Sequence, residues 1–222
     1  MPDHRAGDYG CAMQFVFAYG SLASDLPGSH PAVLRGRRRG WGVAMDNRVD
    51  IPGYKHYRLR ADGSRPAVFV AFLDLFEDPV AATHGVCVPV DDAQLPVIDH
   101  RERNYERIDV TRAVAPAHAT VWAYVGSPTG RNHLRRARAD DAAVVSRDYL
   151  ERTRAAFAAL GPAALADFET SAAVGDLPVW DLDRIELAPA PGLADPMASP
   201  PATCPASGSG RKFCEVFRDA RP

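Results

Sequence analysis

Six short apolar runs rich in β-branched and aromatic residues fill the first two-thirds of the chain, and helical periodicity begins only after Val125. The strand candidates are residues 15–18, 32–45, 67–73, 85–90, 105–114 and 119–125. Between the fourth and fifth, Asp91-Asp92-Ala93-Gln94-Leu95 reads as a helix start with acids in the first turn. Pro96 keeps that helix short or kinks it. Later, Val145, Tyr149, Thr153 and Phe157 recur at helical spacing, with Ser146 and Arg147 on other faces. Gly161-Pro162 stops this helix and Pro162-Ala163-Ala164 opens another. Strands followed by helices predict an α+β fold, a curved sheet or barrel with helices packed alongside.

The first strand, Phe15-Val16-Phe17-Ala18, runs into Tyr19-Gly20-Ser21-Leu22. Gly20 permits backbone angles that a Cβ forbids, so the N–H groups beyond it can converge on one spot. Convergent donors make an anion nest or an oxyanion hole; the plainer alternative is a strand end with a glycine turn. The second informative stretch is VIDHRERNYERIDV, residues 97–110. Asp99 and Glu102 are three apart, so they share a face if the short helix extends that far. Tyr105 to Val110 then alternates as a strand does. The alternative is a solvated cluster in which Glu102 pairs with Arg101, Arg103 or Arg107.

Composition removes several classes of function. A chain of 222 residues suits one domain with a single core, and a net charge of −2 gives no pull toward nucleic acid or anionic membrane. Arg35-Gly36-Arg37-Arg38-Arg39 interrupts a strand without interleaved aromatics and reads as a solvated edge, not a nucleic-acid contact. No apolar segment approaches the roughly 18–20 residues of a membrane helix. The polar, acidic start MPDHRAGDYG is unlike a signal peptide, and the expectation is a cytoplasmic protein. Cys11, Cys87, Cys204 and Cys214 are scattered without metal-ligand spacing. No metal or cofactor is expected. Cys87 reads as a small buried hydrophobe, and Trp41 and Trp122 as core. The chain divides into a polar head at 1–12, a body at 13–189 and a Pro/Gly/Ser-rich tail at 190–222. Within the body, residues 47–57 read as a polar, aromatic loop turning at Pro52-Gly53, from which Tyr54, Lys55 and His56 can close over a substrate.

A strand ending in YGSL, followed about eighty residues later by D-x-x-E and then Y-x-R-x-x-V, resembles the γ-glutamylcyclotransferase-like (AIG2-like) family. AFLDLFED leading into HGVCVPVDDAQL, a strand, turn, strand and helix run, adds to the likeness, as do Ala123-Tyr124-Val125 and SRDYLERTRAAFAALG. The resemblance spans residues 15–161 and implies a small mixed β-barrel flanked by helices. It implies that Tyr19, Gly20, Ser21 and Leu22 receive a γ-glutamyl group, with Tyr124 beside them, and that Glu102 is the general acid/base. Two departures are visible: Arg103 follows the glutamate where many relatives have glycine, and Tyr105 comes only three positions on.

The implied reaction needs neither cofactor nor enzyme nucleophile. A γ-glutamyl compound carries its own α-amine, placed to close a five-membered ring on the γ-carbonyl and release 5-oxoproline. Folding the substrate supplies proximity, worth up to about 7–11 kcal/mol. The amine is protonated at neutral pH, so a base must act, and a desolvated glutamate has the raised pKa suited to that task. Two alternatives stand beside this reading. One is a binding protein for small γ-glutamyl compounds on the same fold. The other is a serine-dependent amide hydrolase using Ser21, for which His30, His56, His84, His100 and His118 offer bases but no G-x-S-x-G elbow surrounds the serine.

Overall fold

A computed structural model of the chain describes residues 14–23, 28–116 and 120–188. The head at 1–12 and the tail at 190–222, with Cys11, Cys204 and Cys214, lie outside the described residues, as does His118. The strands in chain order are β1 (Gln14–Ala18), β2 (His30–Asp46), β3 (Lys55–Leu59), β4 (Phe69–Val90), β5 (Tyr105–Asp109), β6 (Val114–Ala115), β7 (Val121–Gly126), β8 (Ala143–Ser146), β9 (Val179–Trp180) and β10 (Leu182–Glu186). The helices are α1 (Gln94–Arg101), α2 (Pro128–Ala139), α3 (Arg147–Ala159) and α4 (Pro162–Ser171).

Six strands form one path in the order β5-β7-β1-β4-β2-β6, curled into a half-barrel, with β8 attached to β4 and β9 to β8. The pairing is mixed. β1 runs antiparallel to β4 and parallel to β7, and β4 is parallel to β8. This is the α+β, barrel-like sheet flanked by helices that the strand-then-helix pattern predicts. β1 occupies the middle of the path and is buried on both faces, so Phe15 to Ala18 are all apolar where an edge strand would alternate. Its C-terminal end delivers Tyr19 to the site.

The runs expected as two strands at 67–73 and 85–90 are parts of one strand, β4, because β2 is long enough to pair with both. The ladder runs from Asp46 opposite Phe69 to His30 opposite Cys87. Arg37 pairs with Glu77 but Arg35 with Ala82, so residues 78–81 bulge out of register. Pro79 sits in that bulge, where its missing N–H costs no ladder bond, and Val80 is fully presented to solvent.

The arginine run is not the solvated edge that its charge suggests. Arg39 is completely buried on the inward face of β2. Its guanidinium bonds Asp167 of α4 at 2.8 Å and the His84 carbonyl at 2.7 Å, and lies 4.2 Å from the Phe157 ring centre. Phe157 of α3 and Phe168 of α4 stack at 5.0 Å, so this one cation ties both helices to the sheet. The buried stripe of α3 is Tyr149, Thr153 and Phe157, as the spacing predicts, but Val145, expected on the same face, lies in β8 before the helix begins.

Helix α1 starts with a reciprocal pair: the Gln94 N–H donates to the Asp91 carboxylate at 2.8 Å, and the Asp91 N–H to the Gln94 amide oxygen at 2.9 Å. Pro96 falls within the first turn, where its N–H has no helical partner to lose, and the helix continues past it to Arg101. Residues 47–57 are not wholly a loop. Gly53 turns with φ 73°, but Lys55 begins β3, which pairs with β10 in a separate two-stranded ribbon from Lys55 opposite Glu186 to Leu59 opposite Leu182. Among the described residues, no helix is long and apolar enough to cross a membrane. Cys87 is a buried thiol whose pKa burial pushes up to about 11.

Candidate active site

The end of β1 and the end of α1 meet at a cavity of about 60 Å³. Tyr19, Gly20, Ser21 and Leu22 line one side, Glu102 another, and Tyr105, Tyr124, Tyr149 and Leu73 close the walls. All six residues nominated from the sequence therefore border one space. The turn and the glutamate are held by separate backbone bonds. The 20–23 turn is closed by the Ala23 N–H donating to the Gly20 carbonyl at 2.9 Å. Glu102 caps α1: its N–H donates to Ile98 O at 2.8 Å and its carbonyl accepts from the Tyr105 N–H at 2.7 Å.

Gly20 earns its place differently from the expectation. It is absent from the glycines with positive φ among the described residues, so the turn does not demand its conformational freedom. A Cβ there would instead lie 3.0 Å from the Tyr149 hydroxyl. The glycine leaves room for that oxygen beside the loop.

Four tyrosines surround the cavity, and their hydroxyl protons are not equivalent. Tyr19 donates to the Tyr124 carbonyl at 2.5 Å, Tyr105 to the Leu73 carbonyl at 2.7 Å, and Tyr124 to the Asp99 carboxylate at 2.7 Å. Arg107 holds the same Asp99 oxygen at 3.0 Å. Tyr149 instead places its hydroxyl beside Gly20. Its own proton has no acceptor among the described residues. Burial raises the pKa of all four phenols, so each is a neutral donor at physiological pH.

Burial also raises the pKa of Glu102, against the opposing attraction of Lys55, Arg101 and Arg184. Lys55 is pushed down to about 7 by burial first and Arg184 second, with Glu102 acting to raise it. A glutamate whose pKa is raised by burial is better suited both to take a proton and to return it. Ser21 is exposed, and no histidine is among the described residues that line the cavity. No group of three His, Cys, Asp or Glu that could hold a metal occurs among the described residues.

The sequence supplied the loop, Glu102 and Tyr124. Tyr105 and Tyr149 stand in stretches that carry the family likeness, but nothing in the sequence marks either as a wall of this cavity. Arg184 went unremarked, because five residues of weak strand pattern at the end of the body give no signal of what they pair with.

The curled mixed sheet thus sets one carboxylate, Glu102 at the end of α1, on the same cavity as the Tyr19–Leu22 turn. The profile of the gamma-glutamyl cyclotransferase, AIG2-like family matches residues 16–170, and the chain belongs to that family. No curated protein matches it in sequence. Among solved structures it is similar to a gamma-glutamyl cyclotransferase at 14% identity, covering 71% of this chain and 85% of that one, with a TM-score of 0.44. It is similar to YkqA from Bacillus subtilis at 16% identity, covering 75% and 56%, with a TM-score of 0.49. A yeast gamma-glutamyl cyclotransferase specific to glutathione matches at 14% identity, 72% and 97% coverage and a TM-score of 0.42.

Proposed function

We propose that the protein is a γ-glutamylcyclotransferase whose catalytic unit is the body at 13–189, with Glu102 as the general acid/base. The observation that carries this reading is that Glu102 and the Tyr19–Leu22 turn, distant in sequence, border one cavity. The turn's backbone N–H groups and the Tyr149 hydroxyl hold the glutamyl end or the developing oxyanion on the γ-carbon. Glu102 takes a proton from the α-ammonium. The freed amine attacks the γ-carbonyl, a new N–C bond closes the five-membered ring, and the γ-amide bond breaks. Glu102 returns that proton to the departing nitrogen, then takes the second proton shed by the ring nitrogen and passes it to the released amine, which leaves as an ammonium, so the enzyme ends as it began. The products are 5-oxoproline and an amine or amino acid, and positioned proton transfer of this kind contributes about 100- to 10,000-fold.

The test is a panel of γ-glutamyl amino acids, peptides and amines incubated with pure protein and scored by mass spectrometry. The expected result is 5-oxoproline and leaving group in equal amounts from at least one class. Saturable binding with no 5-oxoproline from any compound makes the protein a non-catalytic binder.

A further inference from the structure

Asp74 is a carboxylate with no exposed surface, placed on β4 where the cyclisation itself has no use for it. The chain makes room for it twice. A Cβ at residue 42 would fall 2.3 Å from the Asp74 Cβ, and one at residue 126 would fall 2.4 Å from its Oδ2; both positions are glycine. The carboxylate accepts the Gly126 N–H at 2.6 Å and the Arg131 Nε–H at 2.7 Å, while Arg131 Nη2 donates to the Leu75 carbonyl at 3.2 Å. Gly126 ends β7 and Arg131 lies near the start of α2. One buried charge fixes the strand end and the helix start together.

That junction carries the turn on which Glu102 sits. The Ser127 N–H donates to the Asn104 carbonyl at 2.9 Å, and Gly126 stands opposite Tyr105 in the ladder of β5 and β7. Gly130 lets α2 approach this closely, since a Cβ there would lie 2.5 Å from the same Asn104 oxygen. The Glu102 carbonyl accepts the Tyr105 N–H, which closes the turn. From its other side, the Tyr105 hydroxyl donates at 2.7 Å to the carbonyl of Leu73, the neighbour of Asp74. Residues 102–105 are thus held by two hydrogen-bonded paths, one from Leu73 and one from Asp74.

A buried carboxylate is costly, and an apolar side chain of similar volume often serves stability as well. What a satisfied buried network adds is a single geometry. We propose that Asp74, with Arg131, is a positioning residue that sets where the Glu102 turn stands relative to the turn at Tyr19 to Leu22. What Glu102 does once placed rests on the cyclotransferase reading; its placement does not.

The test measures turnover of γ-glutamylalanine and, by NMR, the titration of the Glu102 carboxyl. The proteins are wild type, Asp74→Ala, Arg131→Met, the Asp74→Asn/Arg131→Met pair and Leu177→Ala. Leu177 belongs to a second apolar cluster that contributes no lining residue to the cavity, so its truncation is a control for lost stability alone. Displacing a reacting group by about 1 Å costs about 100-fold, and Asp74→Ala should lower kcat by about that factor. KM should change by less than about threefold, because the glutamyl end still meets the turn at Tyr19 to Leu22. Water entering the loosened turn should bring the Glu102 pKa down from where burial holds it. Arg131→Met leaves the buried carboxylate unpaired and should lower kcat in the same way. Adding Asp74→Asn removes that charge and keeps an oxygen for the Gly126 N–H, so the pair should recover kcat to within about tenfold of wild type. Leu177→Ala should keep both kcat and the titration. Wild-type kcat and titration in Asp74→Ala overturn the proposal. So does a loss of kcat matched by an equal rise in KM, or matched by Leu177→Ala. Should Asp74→Ala not fold, Arg131→Met and the pair carry the test, and equal kcat in those two overturns the proposal. If no γ-glutamyl compound turns over in wild type, the reaction falls and the Glu102 titration alone decides the placement.

Discussion

Removing the carboxylate of Asp167 isolates a charge inside the protein, and the cost follows from what Arg39 has left. The guanidinium is fully buried, and its Nε and Nη1 already lack hydrogen-bond partners. Without Asp167 it keeps the His84 carbonyl and the faces of Phe157 and Phe168, whose ring centres lie 4.2 and 5.3 Å away. Burial already holds the Arg39 pKa down to about 10 against the attraction of Asp167. Breaking a buried pair by deleting one partner costs about 3–5 kcal/mol. For a chain of this size that lowers Tm by about 6–20 °C. Asp167→Ala also orphans the His84 N–H, which the same oxygen accepts at 3.0 Å, so Asp167→Asn should be milder. Replacing the cation by an apolar side chain of similar length is often neutral or stabilising. Arg39→Met should therefore cost less than Asp167→Ala, and the Arg39→Met/Asp167→Asn pair should melt above Asp167→Ala. Urea and thermal unfolding of the four variants reads these values. An Asp167→Ala cost below about 1 kcal/mol, or an Arg39→Met cost above that of Asp167→Ala, refutes the reasoning. Because α3 carries Tyr149, the same loss should loosen the cavity wall.

Three further outcomes are expected. Lys55→Met removes a cation that holds the Glu102 pKa down, so that pKa rises and the acid limb of kcat/KM moves to higher pH; a limb that stays in place contradicts the pairing of these groups. Glu102→Gln should unfold with wild-type stability at pH 4 and be the more stable at pH 8. A carboxylate whose folded pKa is raised costs stability that grows as pH climbs from its unfolded value through its folded one; a difference that shrinks with pH refutes this. Gly20→Ala should raise KM by crowding the Tyr149 hydroxyl, and Tyr149→Phe should relieve that effect in the double variant. Additive effects of the two changes on kcat/KM would show that the contact does not matter.

Much of the fold was legible because its strongest signals are local. The apolar run of β1, the Tyr149-Thr153-Phe157 stripe and the Gly161-Pro162 break each need only neighbours in sequence to be read. The YGSL turn and Glu102 stood out by residue type, and they border one cavity. What hid was long-range. Nothing local tells that 85–90 continues 69–77 along a single partner strand, since that depends on the length of β2. A run of arginines carries no mark of which one turns inward to meet a carboxylate 128 residues later. The same holds for β3, whose Lys-His-Tyr-Arg-Leu has no clean alternation and becomes a strand because β10 pairs with it. The reason for Gly20 was misread for a related cause: the neighbour that requires it, Tyr149, lies 129 residues on and reaches it only through the fold.

The central claim is that Glu102 moves the proton in an intramolecular cyclisation. The direct measurement is 5-oxoproline formation by wild type, Glu102→Gln and Glu106→Gln on the best γ-glutamyl substrate, with binding followed in parallel. Glu106 is an exposed neighbour on β5 and controls for the loss of a nearby charge. The amide keeps the size of the side chain and an oxygen but cannot accept the proton, so kcat should fall by at least about 100-fold. Kd should change far less, and Glu106→Gln should match wild type. Normal turnover by Glu102→Gln, in a protein that binds and folds as wild type does, would contradict the account.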